Sequence, residues 1–251
     1  MIYTGTSPYE NSDETESRHM GKSKFNINSN DNAYVGYMYG TAGSTTYEDT
    51  HANINDSSIK TTIDRWYSKY LNTSYSSYIA DAIYCNDRTI AENFNIFAGL
   101  SGEGFGKNVT YYSLFERLSF SSEGMLESVT PTLKCQNEND RFTTNPTIDS
   151  VNGNDKLTYP VGLITADELI FAGSNDTYTN EECFLYDMKE FWSITAHDFS
   201  GDYTMVFNSV NGMRSANGVY STITFARGVI SLKSDVIKSG TGTTTDPFRV
   251  E

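Results

Sequence analysis

The chain is short of most residues that catalytic and nucleic-acid-binding proteins are built from. It has three histidines, His19, His51 and His197, far apart and without ligand spacing, which argues against histidine-based hydrolysis and zinc chemistry. Its 18 Lys and Arg face 32 Asp and Glu, a net charge of −14. Nucleic acid and anionic membrane surfaces need basic clusters that this balance does not supply. An acidic, solvated exterior is the reading. None of the three cysteines forms a CxxC, so a zinc ribbon is out. No apolar run approaches the roughly 20 residues of a membrane-spanning helix. The start, Met1-Ile-Tyr-Thr-Gly-Thr-Ser-Pro, has neither the charged nor the apolar region of a signal peptide. Either the protein is not exported, or it is an ectodomain whose export segment lay upstream; the second is the expectation, with any membrane met only through an anchor missing from this chain.

What the chain has in abundance is Tyr (18) and Phe (14) among plentiful Asn, Ser, Thr and Gly. That texture fits a strand- and loop-rich extracellular protein. The 251 residues suffice for one large domain with a smaller N-terminal elaboration. Residues 1–24 read as a flexible lead-in and 25–251 as a single domain. Within it, Asn32 to Gly40 reads as a strand. Ile59, Ile63, Trp66, Tyr67, Tyr70 and Leu71 recur at helical spacing behind an N-cap at Asn55 or Asp56, with Lys60, Asp64 and Lys69 on the opposite face. Residues 75–85 continue as a second short helix or an extended segment, and 111–120 as a short amphipathic helix. Tyr159 to Ile164 reads as a strand leading into a capping box, Thr165-Ala-Asp-Glu168, whose helix stops at Gly173. Gly228 to Lys233 reads as the last core strand, and the tail ends in a short β segment.

Cys85 opens Cys-Asn-Asp-Arg and Cys135 opens Cys-Gln-Asn-Glu-Asn-Asp-Arg. The similar surroundings make these two the candidate disulfide pair, the alternative being two buried thiols. Cys183 is left unpaired. Gly102-Glu-Gly-Phe-Gly-Lys fails the phosphate-loop pattern, with Ser101 in the first glycine position and Asn108 after the lysine. Asn26 to Asn32 is oxygen-rich like a calcium loop, but lacks the sixth-position glycine and has Tyr37 at the closing acid. No cofactor is expected; a structural calcium stays open.

The segment Phe191 to Phe225 is the most distinctive. After Trp192 it is nearly all small polar residues and aromatics, a poor helix and a poor core. Such a mixture resembles a paratope, where rings give area and small polar groups give direction. Thr195, His197, Asp198, Asp202, Tyr203, Asn208, Asn211, Arg214, Asn217, Tyr220 and Thr222 are the candidate ligand contacts. Trp192 and Arg227 read as structural.

Several segments together resemble a known group. Asn32-Ala-Tyr-Val-Gly-Tyr-Met-Tyr-Gly, Cys85-Asn-Asp-Arg, Pro131-Thr-Leu-Lys-Cys, Leu157-Thr-Tyr-Pro-Val-Gly-Leu-Ile-Thr-Ala-Asp-Glu and Ile230-Ser-Leu-Lys-Ser-Asp-Val look like surface and pilin-associated proteins of gut Firmicutes. The C-terminal part of those proteins has a C-type-lectin-like fold of the formylglycine-generating-enzyme kind. The resemblance covers roughly residues 22–251. It implies an α+β domain of short twisted antiparallel strands, a few helices and long loops. Related proteins are targets of diversity-generating retroelements, whose variable residues lie near the C-terminus on a ligand-binding face. The family's Trp-Thr-Met/Leu-Ser-Pro reads Trp192-Ser-Ile-Thr-Ala here, and its Gly-Val-Arg-Pro reads Phe225-Ala-Arg-Gly. The enzymes of that fold need a cysteine pair near the C-terminus, and none follows Cys183, so their activity is not carried over.

The expectation is a non-enzymatic, adhesin-like binding protein at a bacterial cell surface, recognising an extracellular protein or glycan through the 193–225 face. The alternative is a structural minor pilin or surface-assembly subunit.

Overall fold

The computed structural model describes residues 1–3, 19–92, 102–120, 126–174, 183–200, 203–210, 213–241, 243, 246 and 248–250. It mixes helix with small antiparallel sheets. The largest sheet has four strands: β1 (Thr110–Tyr111), β2 (Phe191–Ser200), β3 (Tyr203–Val210) and β4 (Met213–Gly218), in the order β4-β3-β2-β1. Strand β3 pairs antiparallel with β2 and with β4, while β1 pairs with the far end of β2 through Asp198 and Phe199. The β2–β3 register shifts twice, between Trp192 and Ala196 and between Ala196 and Asp198. Bulges of this kind bend a strand and re-aim its side chains.

Strand β2 is the spine of the molecule, and this corrects the reading of its segment as poor core. Trp192 and Ile194 enter the main core with Phe25, Tyr37, Ile59, Ile63, Tyr67, Phe142, Val206 and Val219. Phe191 enters a second core with Leu114, Leu118, Ile164, Leu169 and Phe225. A strand covered on both sides can carry Ser and Thr only where each hydroxyl finds a partner. Thr195 does so by accepting the backbone N–H of Ala166 at 2.9 Å. Trp192 is fully buried and donates its indole N–H to the Ser23 carbonyl at 2.7 Å.

Four helices lie among the described residues: α1 (Tyr47–Thr50), α2 (Ser58–Tyr70), α3 (Leu114–Arg117) and α4 (Ala166–Phe171). The N-cap of α2 is Ser57, one residue beyond the expected position, with its hydroxyl accepting from Lys60 N–H. Lys60, expected on the solvent face, is buried; its ammonium lies 2.7 Å from Asp64 and 3.2 Å from Asp56. The α4 capping box forms as the sequence predicts, Thr165 accepting from Glu168 N–H and the Glu168 carboxylate accepting from Thr165 N–H. Gly173 follows at φ 94°, the left-handed conformation glycine adopts without strain.

Other expectations change. Asn32–Val35 is a 3-10 turn rather than a strand, because Asp31 caps it and only Met38–Tyr39 pairs, with Asn55–Asp56. Residues 75–85 resolve into a 3-10 turn at Ser76–Tyr78 and two short strands, Ile79–Ala80 and Tyr84–Cys85. Within 111–120 only Leu114–Arg117 is helical, and Leu118–Phe120 is a strand. Around Gly162 there is one isolated bridge, to Val229, and Ser231–Leu232 is the strand within 228–233. Both described ends of the lead-in are built into the fold. Tyr3 packs its ring on Trp66, and buried His19 lies 3.0 Å from Asp187, which also meets Arg227.

The two similar Asn-Asp-Arg elements face each other. Tyr84–Cys85 pairs with Arg141–Phe142, and Cys85 is disulfide-bonded to Cys135, with a Cα separation of 5.7 Å. Arg88 and Asp140, both fully buried, form an ion pair across the elements. Cys183 is a buried free thiol. Among the described residues no helix is long and apolar enough to cross a membrane.

Candidate functional site

Among the described residues, the end of the sheet where β3 begins holds exposed sequence-predicted contacts. Tyr203 opens β3, and Tyr220 lies two residues beyond Gly218, whose register partner is Met205. The two rings therefore come to the same place, tilted at 39° with centroids 5.9 Å apart, and both are about half exposed. Gly218 makes room: a Cβ there would sit 2.8 Å from the Tyr220 ring. Thr222 and Ile223 follow, also exposed. A paired, half-exposed tyrosine surface on a sheet anchored by Trp192 offers contact area with few rotamers left to freeze.

His197 and Asp198 lie near the same end. His197 is half-buried, edge-on to Phe115 at 4.5 Å, with Nδ1 2.7 Å from Asp198 Oδ1. The Ser200 hydroxyl donates to the other Asp198 oxygen at 2.5 Å. The serine thus bonds the carboxylate rather than the imidazole, which is not the nucleophile–base contact of covalent hydrolysis. Asp198 itself is buried.

The remaining predicted contacts separate. Thr195 and Asn208 are buried and hold the fold. Asn208 donates its amide to Glu190, as does half-buried Asn217 at 2.9 Å. Burial thus removes Thr195, Asp198 and Asn208 from the open surface, and the segment presents a smaller face than its composition suggests. Arg214 pairs through its backbone with Ser209. Asp202 and Asn211 lie outside the described residues. Trp192 and Arg227 are both interior; the Arg227 guanidinium stacks over Phe191 at 4.5 Å and lies 3.3 Å from Asp187.

Sequence reasoning missed a second feature. A cavity of about 520 Å³ opens beside the disulfide, and Thr195 is the one predicted contact that lines it. On its wall Arg117 bridges two carboxylates, at 2.7 Å to Asp87 and 3.0 Å to Asp167. Burial pushes the Asp87 carboxyl up, but Arg117 and the bonds from Ser113 and Thr89 outweigh it and hold the group below its ordinary value. Only the fold brings these three residues together; nothing in their sequence spacing signals it. Among the described residues no group of three or more His, Cys, Asp or Glu is arranged to hold a metal ion.

Comparison with known proteins finds no matching family model, curated protein or solved structure.

Proposed function

We propose that this chain is a surface-displayed, non-enzymatic binding protein with a C-type-lectin-like domain, engaging an extracellular protein or glycan through the end of its four-stranded sheet where β3 begins. The observation that carries the reading is the Tyr203–Tyr220 pair, exposed side by side while the strands beneath are packed on both faces. Aromatic anchors of this kind dominate binding energy at interfaces. The Cys85–Cys135 disulfide supports an oxidising, extracellular setting, here a bacterial cell surface. The diversified-protein version of the proposal places variation at exposed positions such as Tyr203, Tyr220 and Thr222 rather than across the whole segment.

The test is a glycan and protein-ligand array probed with the native chain and with Tyr203→Ala and Tyr220→Ala. Each substitution is expected to weaken a captured ligand by about tenfold or more, the loss typical of an interface hot spot. Binding untouched by both would end the proposal.

One observation favours assembly as a second reading. The hairpin Ile237–Ser239 with Arg249–Val250 is exposed throughout and shows Ile237, Phe248 and Val250 to solvent. Concentration-dependent light scattering that vanishes with Ile237→Ser and Phe248→Ser would support a structural subunit.

A further inference from the structure

The cavity beside the disulfide has two electrically different ends. Two wall segments run between them in the same direction. One starts at Cys85, whose register partner is Arg141, and reaches Asp87 two residues later. The other starts at Cys135, whose carbonyl accepts from Arg141, and reaches Thr132, whose N–H donates to Asp167. Both therefore lead from Arg141 to the cluster of Asp87, Arg117 and Asp167.

The charges at the two ends do not cancel locally. At the acidic end one guanidinium, Arg117, faces two carboxylates. Glu168 adds a third, one of its oxygens held by Thr165. At the basic end the Arg141 guanidinium is met, among the described residues, by the carbonyls of Cys135, Gln136 and Asn152. Lys134, an exposed residue that also lines the cavity, makes no side-chain hydrogen bond or ion pair among the described residues. The rest of the lining is mostly apolar, with Ile83, Leu163, Val229 and the disulfide beside the hydroxyls of Thr195 and Ser231. An apolar pocket with a few convergent charged groups is the usual form of a small-molecule site, and about 300–1,000 Å³ is the usual size.

We propose that this cavity binds a short zwitterionic peptide, with the ammonium at the Asp87–Asp167 end and the carboxylate at the Lys134–Arg141 end. The spacing selects the length. Two to three residues of wall separate the ends, at most about 7–11 Å of extended chain. A di- or tripeptide is the longest peptide that such a span accommodates. The site is distinct from the tyrosine face and stands whether or not that face binds a partner.

The experiment is titration calorimetry of the full chain with triglycine, N-acetyl-triglycine and triglycinamide. Triglycine is expected to bind. Capping the amino terminus is expected to weaken it by about tenfold, and capping the carboxyl terminus by roughly two- to fivefold, the scale of a charge pair at an exposed residue. Lys134→Ala, at an exposed position, should weaken triglycine and leave triglycinamide unchanged, since the amide has no carboxylate to lose. No binding of triglycine, or equal binding of the capped peptides, overturns the proposal, and neither outcome bears on Tyr203 or Tyr220.

Discussion

Asn217 turns its side-chain amide inward and donates to the Glu190 carboxylate at 2.9 Å. The fully buried Asn208 donates to the same oxygen from the neighbouring strand. One acid thus staples β3 and β4 to the segment before β2. Glu190→Ala leaves the Asn208 amide buried without its acceptor, and the expected cost is about 1–3 kcal/mol. Glu190→Gln keeps an acceptor oxygen and should lose less. Urea unfolding of both variants checks the order; equal stability of Glu190→Ala and the native chain would contradict it.

The Cys85–Cys135 disulfide closes a loop with a sequence separation of 50. Constraining an unfolded loop of that length is worth about 4 kcal/mol in the chain-entropy model, and about 2–4 kcal/mol is typical of measured cases. The double variant Cys85→Ser/Cys135→Ser should unfold at lower denaturant by that amount. The wall beside the cavity should loosen with it, seen as faster amide exchange at Asn86, whose N–H donates to the Asp140 carbonyl.

Acid should withdraw two stabilising contributions in turn, opposed in the carboxylate range by Asp64 and Asp140, whose carboxyls burial raises. Burial first, and the Arg88 charge second, hold the His51 imidazole well below its ordinary value, against the opposing bond to the Gly104 carbonyl. The unfolded chain, with a histidine pKa of about 6.5, then binds a proton that the folded chain does not, so stability falls as pH drops below that value. The second stage belongs to Asp87 and Asp187. Burial raises both, but the bonds and charges of Arg117 at one, and of His19 and Arg227 at the other, leave each below its ordinary value. A depressed carboxylate stabilises above its unfolded pKa, about 3.9, and loses that contribution as pH falls through the folded value. Melting temperature followed from pH 8 downward should show both stages. His51→Gln should flatten the first and leave the second.

Local signals were readable in the chain and long-range ones were not. The Thr165–Glu168 capping box needs only a three-residue spacing, and it forms as written. Lys60 looked solvent-facing because helical periodicity alone cannot see Asp56 and Asp64 closing around it. Strand β2 looked like poor core because its Ser, Thr and Asp are satisfied by partners the sequence does not place beside them, such as the Ala166 amide. Tyr203 and Tyr220 were legible as candidates because aromatic rings among small polar residues have little else to do than pack or bind, and the fold leaves both about half exposed. Asp87, Arg117 and Asp167 were not, since 80 residues separate the first from the last and only the fold joins them.

The central claim is that a ligand sits on Tyr203 and Tyr220. Hydroxyl-radical footprinting with and without the array-selected ligand tests it with internal controls, because Tyr70 and Tyr75 are 51% and 52% exposed, matching 52% at Tyr203 and 46% at Tyr220. The account predicts that oxidation of Tyr203 and Tyr220 falls on binding while Tyr70 and Tyr75 stay unchanged. Protection of Tyr70 or Tyr75 with Tyr203 and Tyr220 still oxidised would contradict it.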